Sequence, residues 1–248
     1  VLVVNGAGAA AVSCTRLYFS LGLTRENLIM CDSKGVIRID RDQLDPIKAE
    51  FATARDVSTL QQAVKGADVF IGLSKADILT PQDILNMAND PIVFALANPN
   101  PEIAYDVAMK TRPDLIMATG RSDHPNQVNN VLGFPYIFRG ALDVRATEIN
   151  EAMKLAAVTA LSILAKEPVP EMVIKAYGDT KLQFGRQYLI PKPLDPRLIT
   201  TISPAVAKAA MDSGIATNPI RDWTKYHQEL LKRIGIDDTL TARIIDLA

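Results

Sequence analysis

A glycine-rich turn near the start of the chain constrains its fold more than any other feature. The residues Gly6-Ala7-Gly8-Ala9-Ala10-Ala11 directly follow the apolar run Val1-Leu2-Val3-Val4 and open a stretch with helical periodicity. Gly6 permits a tight turn, Gly8 lets a ligand approach the backbone without meeting a Cβ, and Ala11 is small enough for a helix to pack on the strand. The pattern therefore predicts a buried strand, a tight turn and a helix in close succession.

The same alternation of strand and helix continues to about residue 120. The predicted strands are short and apolar without polar alternation, which is typical of a parallel sheet with both faces covered. They comprise residues 1–5, 28–31, 69–71, 92–95 and 115–118, with predicted helices at 9–21, 58–64, 81–87 and 102–110. This order predicts an α/β fold, a Rossmann-like doubly wound parallel sheet, with ligands bound at the carboxyl ends of the strands.

The second part of the chain has a helical pattern. Predicted helices comprise residues 131–138, 147–166, 196 or 204 to 213, and 222–234, and residues 177–193 show little periodicity. No linker or internal repeat separates the two parts. We therefore predict one domain, residues 1–248, with a Rossmann core at 1–145 and a helical C-terminal extension at 146–248.

An acidic residue follows the glycine turn at the spacing of a dinucleotide site. Asp32 lies 32 − 11 = 21 residues after Ala11, at the end of the second predicted strand. In such a site the free N–H groups and the positive end of the helix bind the pyrophosphate. We therefore predict that Gly6, Gly8, Ala9, Ala10 and Ala11 bind a dinucleotide with Asp32. The alternative is a turn that only packs, with Asp32 capping it.

The residues alone leave the choice of dinucleotide open. The Asp32 carboxylate would accept hydrogen bonds from a ribose 2′-hydroxyl, which favours NAD. A 2′-phosphate, as in NADP, requires cations, and several follow Asp32 and Ser33 closely. These are Lys34, Arg38, Arg41 and Lys48.

Composition and charge exclude several classes of protein. With 27 basic and 28 acidic residues the formal net charge is −1, and there is no basic cluster, so we expect no nucleic-acid partner. No apolar run is long enough for a transmembrane helix, and no signal peptide is recognisable. Only two cysteines occur, which favours a reducing compartment and the cytoplasm. Because Val1 already begins a strand pattern, we expect the chain to start inside a longer polypeptide.

Four motifs, in order and at compatible spacing, resemble the cofactor domain of bacterial-type malic enzymes. Besides the glycine turn they are Cys31-Asp32-Ser33-Lys34-Gly35, Phe94-Ala95-Leu96-Ala97-Asn98-Pro99 and Thr119-Gly120-Arg121-Ser122-Asp123-His124-Pro125-Asn126-Gln127-Val128-Asn129-Asn130. The later run Ile190-Pro191-Lys192-Pro193-Leu194-Asp195-Pro196-Arg197 is similar to that family as well. The resemblance covers essentially the whole chain.

The resemblance implies a function and assigns residues to it. Malic enzymes oxidatively decarboxylate (S)-malate to pyruvate and CO2 with NAD or NADP and Mg²⁺ or Mn²⁺. By position, Asn98 would contact the nicotinamide and malate, and Asn130 would contact the substrate or the nicotinamide. Ser33 and Lys48 match residues of NADP-dependent members, which favours NADP over NAD, whereas Asp32 counts against it because a carboxylate repels a 2′-phosphate.

The resemblance also implies that the reaction needs more than this chain. The catalytic Tyr, the catalytic Lys and the acidic metal ligands of the family lie upstream of the glycine turn, so no catalytic or metal-binding residue is predicted here. The intact enzyme is expected to be a homo-oligomer, with a dimer as the expected form. Two alternatives remain, a non-catalytic dinucleotide-sensing module and a Rossmann dehydrogenase of amino acids or folate intermediates.

Overall fold

The structure, a computed structural model, describes residues 1–178 and 181–235. The chain divides into two compact units, Val1–Val128 and a second unit that begins at Asn129. The division precedes the predicted end of the Rossmann core at residue 145. The reason is that helix α6 (Phe134–Asp143) packs on helix α9 (Arg197–Asp212) within the second unit.

The first unit is built on a six-stranded sheet. Its strands are β1 (Leu2–Asn5), β2 (Leu28–Asp32), β3 (Gly35–Val36), β4 (Val69–Gly72), β5 (Ile92–Ala95) and β6 (Ile116–Thr119), in the order β3-β2-β1-β4-β5-β6. Every pairing is parallel except that of β3, which lies antiparallel to β2 at the edge. The predicted α/β fold is thus confirmed, and β3 is the one described strand that the sequence did not predict.

Both faces of the sheet are buried, which explains the continuous apolar strands. Val3 on β1 belongs to one core cluster with the helices that follow β3, β4 and β5. Its neighbours Leu2 and Val4 point to the other face and pack with Ala11 and Val12. Side chains of a strand alternate between faces, so a strand covered on both sides must be apolar at every position.

The helices of the first unit are α1 (Ala9–Ser20), α2 (Pro46–Ala49), α3 (Leu60–Val64), α4 (Pro81–Leu85) and α5 (Tyr105–Thr111). Helices α3 and α4 begin at capping boxes, in which the side chains of Thr59 and Thr80 accept a bond from the amide of the third helical residue, and their own amides donate to the side chain of that residue. The predicted start of α5 at residue 102 is wrong: Glu102 lies in the loop before the helix, and its side chain accepts bonds from the Ser74 and Ala97 amides.

The second unit is helical. It contains α6, α7 (Glu151–Lys166), α8 (Glu171–Tyr177), α9 and α10 (Trp223–Arg233), with α6, α7 and α9 around one core. Helix α7 begins later than predicted because Asn150 accepts a bond from the Met153 amide and caps it there. Residues 179–180 of the predicted irregular stretch and 236–248 of the predicted extension lie outside the described residues. Within the described part, no helix is both long and apolar enough to cross a membrane.

Candidate dinucleotide site

The turn after β1 requires glycine at its first position. Gly6 has a φ of +127°, and a Cβ built on it would lie 2.6 Å from the carbonyl oxygen of Leu73 after β4. Its amide donates to the Cys31 carbonyl at 2.9 Å, which ties the turn to the end of β2. Any larger residue would therefore separate the turn from the neighbouring strands.

The N-terminus of helix α1 is open. Gly8 is the N-cap residue, no side chain caps the helix, and no atom lies within 4 Å of where a Cβ on Gly8 would be. Ala9 and Ala10 form an exposed first turn, whereas Ala11 is 1% exposed and packs against the sheet. Because uncapped N–H groups at a helix N-terminus attract anions, this end of α1 fits a phosphate group.

One cavity brings most of the predicted cofactor residues together. It has a volume of about 800 Å³ and lies at the carboxyl ends of β1, β2 and β4. Among the residues that line it are Gly6, Gly8, Asp32, Ser33 and Lys48. Strand β2 lies on one side of β1, and β4, which comes later in the chain, lies on the other side. The strand order therefore reverses at β1, and doubly wound sheets bind ligands in the crevice at such a point.

Asp32 is held by two cations inside this site. One of its carboxylate oxygens, Oδ2, accepts from Arg41 Nη1 at 2.8 Å and from Lys48 Nζ at 2.7 Å. The other oxygen accepts from the Lys34 amide at 2.9 Å. Arg41 also donates to the Val36 carbonyl at 2.6 Å, so β3 fixes the guanidinium in place.

These contacts determine the charge of Asp32. Burial alone would raise the pKa of its carboxyl group, but the hydrogen bonds from Lys48, the Lys34 amide and Arg41 outweigh burial and lower it. Asp32 is therefore ionised at neutral pH. Because its 6% exposed side chain is paired with two cations, the group of three has a net positive charge.

Asn98 lies at the same end of the sheet but does not line this cavity. It follows β5 and is exposed, and its amide donates only a long bond of 3.4 Å to the Leu96 carbonyl. A Cβ on Gly120, the first residue after β6, would lie 3.0 Å from Asn98 Oδ1, so the side chain rests against that glycine. The amide is thus placed at the rim and is free to meet a ligand.

Asn130 belongs to the second unit. It begins a short 3₁₀ helix, Asn130–Leu132, and is exposed. Its neighbour Asn129 is the residue that caps this helix, accepting from the Val131 amide at 3.0 Å. The Asn130 side chain forms no hydrogen bond with any other described residue.

The roles of two cations in this site, Arg41 and Lys75, were not predicted from the sequence. Arg41 was considered only as a cation for a phosphate, and its bond to Asp32 depends on β3, a strand too short to predict. Lys75 also lines the cavity, and in the described part of the chain no acidic side chain pairs with it. Its position just after β4 could have identified it, because carboxyl ends of parallel strands meet at one edge.

No metal site is present within residues 1–178 and 181–235: no group of three or more His, Cys, Asp or Glu side chains is arranged to hold an ion. The two cysteines, Cys14 and Cys31, are free thiols. The described residues therefore fit a dinucleotide but not a divalent cation.

Comparison with known proteins agrees with this geometry. Residues 1–174 match the family model described as "Malic enzyme, NAD binding domain". The chain is 58% identical over 218 residues to the NADP-dependent malic enzyme of Halomonas elongata, covering 88% of this chain and 52% of that protein. It is 50% identical over 230 residues to the NAD-dependent malic enzyme of Rhizobium meliloti, covering 92% of this chain and 30% of that one.

A solved structure shows the same fold. The crystal structure of Entamoeba histolytica malic enzyme superposes with a TM-score of 0.81 at 30% identity, covering 99% of this chain and 49% of that one. This chain thus spans about half the length, or less, of these proteins. The family match covers most of the sequence, and the chain belongs to the family of malic enzyme NAD-binding domains.

Proposed function

We propose that this chain is the cofactor-binding part of a malic enzyme, which converts (S)-malate, with NADP in preference to NAD, to pyruvate and CO2. The observation that carries the proposal is the cavity of about 800 Å³ in which the open end of α1 and the Asp32–Lys48 pair lie together. The names of the relatives support the same reaction.

The residues present fit the pyrophosphate of the cofactor. The uncapped amides at the start of α1 would donate to its oxygens, and the open space beside Gly8 leaves room for them. Ala9 and Ala10 would lie at the same turn, and Ala11 would keep the helix close to the sheet. Lys75, which lines the cavity without an acidic partner in the described residues, adds positive charge near the bound phosphates.

The state of Asp32 supports NADP. A free carboxylate would bind a ribose 2′-hydroxyl and repel a 2′-phosphate. Here Arg41 and Lys48 both pair with Asp32, so a phosphate beside Ser33 would meet a net positive group. A charge-assisted bond from Lys48 is worth about 1.5–3 kcal/mol, or roughly 10- to 100-fold in affinity.

The two asparagines are the proposed contacts for malate and the nicotinamide. Neutral amides donate to a carboxylate and accept from a carboxamide without adding charge. Asn98 has the exposure this requires at the rim of the sheet, and Asn130 is exposed in the second unit. When bound, the nicotinamide accepts the hydride from malate C2, and the role of these amides is to orient the two reactants.

Other groups needed for the reaction are proposed to come from outside these 248 residues. An amide neither removes the proton of the malate hydroxyl nor protonates the product. Following the family resemblance, we assign the general acid, the general base and the ligands of Mg²⁺ or Mn²⁺ to a further segment of the enzyme. We also propose a homodimer, and the cytoplasm as its location, in keeping with the two free thiols.

The test is malate-dependent reduction of NADP by the complete enzyme that contains this chain. Asn98→Ala and Asn130→Ala are expected to lower turnover at least tenfold while NADP binding stays within twofold, because they contact the reacting end. A protein that binds NADP but never oxidises malate would instead be the non-catalytic sensing module.

A further inference from the structure

Glu102 is a buried carboxyl group in the loop that carries Asn98. It is 0% exposed, although it lies only four positions after Asn98, and no cation pairs with it among the described residues. Its side chain occupies the space over Gly72 at the end of β4, where a Cβ would come within 2.1 Å of the carboxyl carbon. Glycine at position 72 therefore makes room for this acid.

The Glu102 side chain joins two segments at the carboxyl edge of the sheet. Its Oε1 accepts from the Ser74 amide after β4 at 3.4 Å, and its Oε2 accepts from the Ala97 amide after β5 at 3.1 Å. The Glu102 carbonyl also accepts from the Leu79 amide at 3.0 Å. One residue thus bonds the segment after β4 at two points and the segment after β5 at a third.

The two contacts of the Glu102 side chain lead to residues of the proposed site. Ser74 lines the cofactor cavity, and its hydroxyl accepts from Asn5 Nδ2 at 2.5 Å, next to the glycine turn. Ala97 immediately precedes Asn98. Glu102 therefore lies between the two ends of the proposed site, bonded to both.

The loop itself has few other means of being held. Pro99 and Pro101 have no N–H group to donate, although the Pro101 carbonyl accepts from the Asp77 amide at 3.2 Å. Among the described residues the Asn98 side chain bonds only the Leu96 carbonyl. Burying a carboxyl group is unfavourable, and here burial raises the pKa of Glu102 despite the Ala97 and Ser74 amides. An apolar residue would fill the same space at lower cost, but it would leave both amides without an acceptor.

We propose that Glu102 is a positioning residue for the reaction: it holds the segment of Asn98 in register with the segment of Ser74, so that the amide and the bound cofactor meet in one geometry. This role rests on the proposed malic enzyme function. It assigns Glu102 no contact with malate or the cofactor.

The test is Glu102→Gln in the complete enzyme. Glutamine has the same size but one acceptor oxygen, so either the Ser74 or the Ala97 amide would face an NH₂ group. We expect kcat/KM for malate to fall at least tenfold. Binding of 2′,5′-ADP, which has the phosphates of the adenosine end but no nicotinamide, is expected to stay within twofold. If Glu102 only stabilised the fold, its substitution would lower Tm and leave kcat and KM of the folded enzyme unchanged.

A double variant tests whether Glu102 acts through Asn98. If it does, Glu102→Gln combined with Asn98→Ala loses little more activity than the more severe single variant. Multiplied losses would overturn the proposal, as would unchanged malate kinetics in Glu102→Gln, or a loss of 2′,5′-ADP binding equal to the loss of kcat/KM.

The matched control is Asp83→Asn. Asp83 is also a buried acid, 5% exposed, but among the residues that the structure describes its side chain bonds only Thr80, in the capping box of α4. This variant is expected to lower stability and leave malate kinetics unchanged. If Glu102→Gln does not fold, Glu102→Asp, which is too short to reach both amides, replaces it with the same expectations. Absence of malate turnover in the unsubstituted enzyme would contradict the proposed function itself, whereas turnover that Glu102→Gln leaves intact would overturn only the positioning role.

Discussion

Asp32 illustrates how the neighbours of one residue decide what its charge does. At the end of the second strand of a dinucleotide fold, an acid ordinarily selects a ribose with a free 2′-hydroxyl. Here its Oδ2 is shared by Arg41 and Lys48, at 2.8 and 2.7 Å. The acid thus holds two cations in the cavity, where the proposed function would use them to bind a 2′-phosphate. Its presence is therefore compatible with a preference for NADP.

Lys48→Ala in the complete enzyme is expected to separate the two cofactors. Removal of the ammonium group would weaken NADP binding roughly 10- to 100-fold, because a charge-assisted bond to the 2′-phosphate is lost. NAD lacks that phosphate, so its affinity should stay within about twofold. Isothermal titration with each dinucleotide measures both constants.

Lys75→Ala provides the matched control for this experiment. Lys75 lines the same cavity but makes no bond to Asp32. In the proposed site it would lie near the pyrophosphate, which NAD and NADP share. Lys75→Ala is therefore expected to change the affinities for NAD and NADP by the same factor. An equal loss for both dinucleotides in Lys48→Ala would contradict the assignment of Lys48 to the 2′-phosphate.

The burial of Glu102 leads to a prediction about how stability depends on pH. Its pKa is raised in the folded chain, chiefly by burial, so the folded state binds the proton more tightly than the unfolded state does. Its contribution to stability is therefore largest below the unfolded pKa of about 4.3 and is lost as the pH rises through the folded pKa. Relative to Glu102→Gln, the unsubstituted protein should lose free energy of unfolding as the pH rises above about 4.3. Urea denaturation at several pH values measures the difference, and parallel profiles would contradict it.

Some of these residues could be predicted from the sequence and others could not, and the difference has a physical reason. Gly6 and Asp32 could be predicted because their roles depend on local order: a turn after a strand, and an acid at the end of the next one. The bond between Arg41 and Asp32 joins residues on either side of β3, nine positions apart. The bond between Glu102 and Ser74 joins residues 28 positions apart. No periodicity or spacing marks such a contact, since it exists only once the strands are side by side.

At the scale of elements, long periodic segments were easier to predict than short ones. The parallel strands and helices α1, α7 and α9 were all expected, with ends shifted by a few residues where a cap such as Asn150 decides the start. Strand β3 has two residues and helix α2 has four, so neither shows a period. Helix α8 (Glu171–Tyr177) was not predicted, and unlike α3 and α4 it has no side-chain cap at its start.

The packing of α6 on α9 yields a prediction at Gly140. In most helices Gly→Ala stabilises by about 0.5–1 kcal/mol. Here a Cβ would lie 2.4 Å from the Ser203 carbonyl oxygen and 2.9 Å from Val206 Cβ. Overpacking of this kind costs about 1–3 kcal/mol, so Gly140→Ala is expected to lower the free energy of unfolding.

Gly133→Ala is the control for that prediction. Gly133 caps the same helix, and a Cβ there would meet only Ile137 Cδ1 at 3.6 Å, an ordinary contact. Because alanine is a poorer N-cap residue than glycine but meets no backbone atom here, this substitution should lower the free energy of unfolding by less than Gly140→Ala does in urea denaturation. Equal effects of the two substitutions would show that the contact between α6 and α9 is not the cause.

At the scale of the whole molecule, the two units contain different residues of the proposed site. The first unit carries the cofactor cavity and Asn98, and the second carries Asn130 among helices. Within the described residues neither unit contains a metal cluster. The relatives that share this sequence are about twice its length or longer. We therefore expect that binding of the dinucleotide can be separated from conversion of malate.

The last prediction follows from that separation. The 248-residue chain alone is expected to bind NADP, because the open end of α1 and the Asp32–Lys48 pair lie within one unit. Mixed with malate and Mn²⁺ it is expected to form no NADPH, since the proposed amides neither accept the hydroxyl proton nor hold the ion. Titration with NADP measures the first property, and NADPH absorbance over time measures the second, with the complete enzyme as the positive control. Turnover by this chain at a rate near that of the complete enzyme would show that its own residues supply the base and the metal site.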